Sequence, residues 1–80
     1  MLLKIRASLE LADENNSAEV ERALPRIVDQ LQIFLREVRT SDMQGAQGLE
    51  RMRREFLVRV SETLGPGVVN SVLFKEITAQ

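Results

Sequence analysis

The chain reads as an α+β domain of β-α-α-β order, with two helices packed on one face of a small antiparallel sheet. Three observations predict this. Apolar and polar residues alternate from Leu3 to Leu11, two stretches with helical apolar spacing fill the middle, and a β-branched-rich run closes the chain from Val68 to Gln80. At 80 residues there is room for a single domain, residues 1–80, with one modest core.

In the opening strand Leu3, Ile5, Ala7, Leu9 and Leu11 alternate with Lys4, Arg6, Ser8 and Glu10. A period of two gives one buried and one wet face. Asp13-Glu14-Asn15-Asn16 ends the strand, because short polar side chains bond nearby backbone and favour turns. Asn16 and Glu19 stand at capping-box spacing, with Ser17 as a rival cap. In the first helix Val20, Leu24, Ile27, Val28, Leu31, Phe34, Leu35 and Val38 fall within roughly 60° of Leu31, at about 100° per residue. Pro25 lacks an N–H and disfavours helix at Leu24. The stripe nevertheless keeps its phase across Pro25, which predicts one kinked helix in place of two.

Ser41-Asp42-Met43-Gln44-Gly45-Ala46-Gln47-Gly48 joins the helices, and the second helix begins between Gly45 and Gly48. Leu49, Met52, Phe56, Val60 and Thr63 form its stripe, with Leu57 and Leu64 at the margin. Glu50–Arg54 and Glu55–Arg59 are spaced for i,i+4 ion pairs, each worth about 0.2–0.5 kcal/mol. Gly65-Pro66-Gly67 stops the helix. The closing strand alternates imperfectly: Val69, Leu73, Ile77 and Ala79 share one face, while Val72 and Phe74 occupy the other. Such a pattern marks a strand that is covered twice or bulged. Two strands alone are too few for an independent sheet. A further segment, a neighbouring subunit or both should complete it.

Composition narrows the function. There is no cysteine for a disulfide or thiolate, and no histidine to shuttle protons, bind metal or activate Ser61 or Ser71. The net charge is −1 with both signs interleaved, and Trp and Tyr are absent. Nucleic-acid binders instead show a basic excess and stacking platforms. No stretch approaches the roughly 20 apolar residues that span a bilayer, and Met1-Leu2-Leu3-Lys4 is too short for a signal peptide. Arg51, Arg53 and Arg54, with Arg36 and Arg39, are offset by Glu50, Glu55 and Glu37, as on a solvated helix face. Gly45-Ala46-Gln47-Gly48 lacks the Lys-Ser/Thr of a phosphate loop. Asp13 with Glu14, and Asp42 with Glu50, sit in wet sequence without the enclosure that separates the pKa values of an acid–base pair. No catalytic residue, cofactor site or metal ligand is assigned.

What remains is aliphatic side chains off the core stripes. Ile33 and Val58 each lie about 200° from the stripe of their own helix. With Val72 and Phe74, off the main face of the strand, they are the candidate self-association or partner surface. Read from these residues alone, the alternative is a small-ligand or peptide-binding regulatory module, or a ring-building module of the secretion type.

Several segments follow one another in a set order: Ile5-Arg6-Ala7-Ser8-Leu9-Glu10-Leu11, Pro25-Arg26-Ile27-Val28-Asp29 leading into Phe34-Leu35-Arg36-Glu37, and Asp42-Met43-Gln44-Gly45 with Gly48-Leu49. Arg59-Val60 and Val72-Leu73-Phe74-Lys75-Glu76-Ile77 complete the series, which ends in Gln80. Their order and spacing resemble the periplasmic domain of the FliL family of flagellar basal-body-associated proteins. Met43, Ser61 and Thr78 depart from the family pattern, which usually has Leu, Asn and an apolar residue there. The resemblance implies a stomatin-like (SPFH-like) fold and the C-terminal part of the family domain, with an upstream strand and a membrane anchor absent. It further implies a non-enzymatic periplasmic role at the inner membrane, as a homo-oligomer that supports the flagellar stator in motility.

Overall fold

A computed structural model describes residues 3–79. Strand β1 (Leu3–Leu11), helix α1 (Ser17–Glu37), helix α2 (Gly45–Leu64) and strand β2 (Val69–Ala79) follow in chain order. The two strands form an antiparallel sheet. The β-α-α-β reading therefore holds; Gln80, the expected end of the closing strand, lies outside the described residues.

Each boundary has a local cause. Beyond the last strand pair, Leu11 with Val69, the Ala12 N–H donates to the Val68 carbonyl at 3.0 Å and closes the ladder. The Asp13 carboxylate then accepts from the Asn15 N–H at 2.9 Å and starts a 3-10 turn, Glu14–Asn16, that runs into α1. Asp13 thus supplies the cap expected of Asn16, whose side chain makes no capping bond. Helix α1 passes through Pro25, which is exposed. On that face water can take the place of the N–H that proline lacks. A second 3-10 turn, Thr40–Met43, is held by the Arg39 N–H on Asp42 Oδ2 at 2.8 Å.

Helix α2 ends where the Gly65 N–H donates to the Ser61 carbonyl at 2.7 Å, with Gly65 at φ 99° and ψ 157°. Only glycine occupies that region without strain. A Cβ added at Gly65 would meet nothing within 4 Å, so Gly65→Ala isolates the backbone cost. The variant should lose about 1–3 kcal/mol of stability, read from its urea midpoint.

The register of the sheet explains the broken alternation of β2. Arg6 pairs with Glu76 and Ala7 with Phe74, leaving Lys75 as an extra residue. Glu10 pairs with Ser71 and Leu11 with Val69, leaving Asn70 as a second. Each bulge switches which parity faces inward. Val69, Val72, Phe74 and Ile77 consequently stand opposite Leu11, Leu9, Ala7 and Ile5, all on the helix-facing side. This corrects the sequence reading: Val72 and Phe74 share the core face with Val69, and Leu73 turns outward, 48% exposed.

The core joins Val20, Ala23, Ile27 and Phe34 of α1, Met52, Phe56 and Val60 of α2, and Val69 and Val72 of β2. Its centre is aromatic, with the Phe56 ring centroid 6.0 Å from that of Phe34 and 6.4 Å from that of Phe74. Leu24 and Val28, expected in the α1 stripe, are instead exposed. Helices pack about 8–10 Å apart while strands sit about 4.8 Å apart, so two helices overreach a sheet of two strands.

Candidate interaction surface

Arg59 ties the two helices together on the outer side of the helical layer. Arg59 lies three positions after Phe56, places its guanidinium 5.1 Å from the centroid of the Phe34 ring, and donates to Glu37 Oε2 at 2.6 Å. It therefore pairs across the helix–helix seam, where the sequence had it paired along α2 with Glu55. Beside this link Gln30 of α1 and Glu55, Val58, Arg59 and Glu62 of α2 line an open hollow. A second hollow at the end of α2 is lined by Leu57, Val58, Ser61, Glu62, Gly65 and Pro66. Val58 belongs to both and is 57% exposed. Ile33 is likewise exposed, on α1.

Of the four candidate contact residues, Ile33 and Val58 thus lie at the surface, one on each helix. Val72 is completely buried, and Phe74 packs half-buried against the core. Sequence reasoning missed Leu24, Val28 and Leu73, which are exposed. The width of the α1 stripe was the available signal for the first two, since a helix covering a narrow sheet cannot bury all of it.

The arginine-rich run of α2 is tied down locally. Arg53 Nε donates to Glu50 Oε2 at 2.9 Å, Arg53 Nη2 bonds Glu50 Oε1, and Arg53 Nη1 reaches the Val72 carbonyl at 3.5 Å. Arg54 stands 4.0 Å from the same carboxylate. The hydrogen bond from Arg53 holds the Glu50 carboxyl below its usual pKa, with the nearby Arg53 and Arg54 charges adding to it, and the same bond raises that of Arg53. Arg53 thus spends its donors on Glu50 and the Val72 carbonyl. Among the described residues no three His, Cys, Asp or Glu side chains converge as a metal cage, and no helix is long and apolar enough to cross a membrane.

Compared with known families, the chain matches the model described as flagellar basal body-associated protein FliL over residues 1–80. It belongs to the FliL family. Two curated relatives, each a "Flagellar FliL protein", come from Caulobacter vibrioides strains NA1000 / CB15N and ATCC 19089 / CIP 103742 / CB 15. Both are 43% identical to the chain over 75 residues, covering 94% of it and 37% of the relative. The resemblance carried by the segments from Ile5 to Gln80 is therefore membership, and the chain spans little more than a third of the length of these FliL relatives.

Proposed function

We propose that this FliL-family chain is a non-enzymatic module of the flagellar motor, one that associates with its own copies at the periplasmic side of the inner membrane and supports the stator. The observation that carries the reading is the family match across all 80 residues. The open hollows set Leu57 and Val58 beside Gln30, Glu55, Arg59, Ser61 and Glu62, a mixed aliphatic and polar face of the kind that meets a protein partner. Ile33 and Val58 supply aliphatic contacts on the outer helical face. A membrane-spanning segment elsewhere in the longer polypeptide would tether each copy, and tethering raises effective concentration enough for weak contacts to count.

The test is made in the full polypeptide, in a motile bacterium that carries it. Ile33→Glu combined with Val58→Glu should reduce swimming in viscous medium while protein level and number of flagella stay at wild-type values. Unchanged swimming with normal protein level would overturn the role of this surface.

A further inference from the structure

Helix α2 carries its outer charges in two blocks along one line. At about 100° per residue, Gln47, Arg51, Arg54, Val58 and Glu62 fall within about 40° of Val58, on the side turned away from Phe56. All five are exposed. The line is basic toward the start of the helix, aliphatic at its middle and acidic toward its end. Burying these charges beneath a further layer of the same domain carries a large desolvation penalty, so the line faces water or a polar partner.

Among the described residues these charges are poorly compensated. Arg54 stands 4.0 Å from Glu50, but Arg53 already bonds both oxygens of that carboxylate. Arg51 and Glu62 make no ion pair among the described residues. Arg59 is spaced to meet either Glu55 or Glu62, yet it turns to Glu37. Both carboxylates are left lining the hollow that Gln30 borders from α1. Two carboxylates and a side-chain amide form an acceptor set suited to a guanidinium. Glu62 also stands in the last turn of α2, where a carboxylate opposes the helix dipole.

We infer that α2 of a second copy lies antiparallel on this line, about a two-fold axis at Val58. The inference rests on the self-association proposed above and names one of its contacts. With Val58 on Val58, Arg54 of each copy reaches Glu62 of the other, four residues either side of the centre. Arg51 comes opposite Gly65, which has no side chain to obstruct it. Val58 and Glu62 form an i,i+4 ridge with a hollow on either side, the form in which one helix seats on another. The mate's guanidinium offsets the unfavourable charge in the last turn. A parallel in-register pair would instead set Arg54 on Arg54 and Glu62 on Glu62. The antiparallel contact is isologous and closes at two copies. One face of one helix covers less than the roughly 800 Å² per partner of a standard interface, so the contact counts where copies are held close together.

The test is made on the full polypeptide in native membranes, with its only cysteine at a chosen position; the chain itself has none. Val58→Cys should give a disulfide-linked dimer under mild oxidation, because the two thiols meet at the centre of the contact. Leu73→Cys, exposed on the outward face of the sheet, should not. Adding Arg54→Glu or Glu62→Arg should lower the yield at position 58 about five-fold, since each dimer holds the altered contact twice. Adding both, which recreates opposite charges, should restore it. A native gel of the same membranes reads self-association separately. An oligomer that forms no disulfide at position 58 would overturn this contact and leave self-association standing. So would a disulfide indifferent to the single charge changes, or one that the double change fails to restore. A monomer on the gel, with no disulfide at position 58, would overturn both. Benzophenone maleimide on the Val58→Cys thiol captures whatever lies against it on irradiation. Capture of a different protein alone would give the face to that protein and sink the inference.

Discussion

Phe56→Ala is expected to leave the chain unfolded at room temperature. Phe56 is only 1% exposed and touches aromatic neighbours from two other elements, Phe34 of α1 and Phe74 of β2. Truncating a buried phenylalanine costs about 3–5 kcal/mol through lost transfer energy and the cavity left behind. A core of this size rarely supplies more than about 3–5 kcal/mol of net stability. The cost and the whole stability are therefore alike in size. Circular dichroism should show loss of helix, and Phe56→Leu, which keeps most of the apolar volume, should retain a cooperative transition. A variant Phe56→Ala that melts within a few degrees of the parent would show that the three rings do not hold the layers together.

Adjacent aspartates on β2 should give opposite outcomes. Val72→Asp places a carboxylate at a position with no solvent exposure, among Phe56, Val60 and Val69 in the core cluster, and the chain should fail to fold. Burying an unpaired charge costs several kcal/mol even after the surroundings relax. Leu73→Asp alters an exposed side chain opposite Ser8 on the outward face, and should change stability by no more than about 0.5 kcal/mol. Uninterrupted alternation from Val69 would predict the reverse pair of results. Thermal melts of the two variants thus check the bulge at Asn70 directly.

The order of elements was legible because each has its own strong period. Alternation from Leu3 to Leu11 marks β1, and Gly65-Pro66-Gly67 marks the stop of α2 to the residue. Faces were less legible than elements. Nothing in Val69-Asn70-Ser71-Val72-Leu73-Phe74-Lys75 says which residue will be left unpaired, because the bulges are set by matching β1 and the helices together. Val72 therefore lies in the core and Phe74 half-buried against it, where simple alternation points both outward, whereas Ile33 and Val58, set by helical phase alone, are exposed. The excess width of the α1 stripe was visible in the sequence. Its meaning was not, since it depends on how far two helices extend past two strands.

Arg53 on the Val72 carbonyl and the spare residues Asn70 and Lys75 have a bearing on solubility. A β-layer whose two margins both accepted neighbours would grow without limit and deposit fibrils. Here the β2 margin is blunted by its two bulges and by Arg53, so addition at that edge is disfavoured. Arg53→Ala, which reopens that margin, removes a brake on precipitation as much as it removes an ion pair.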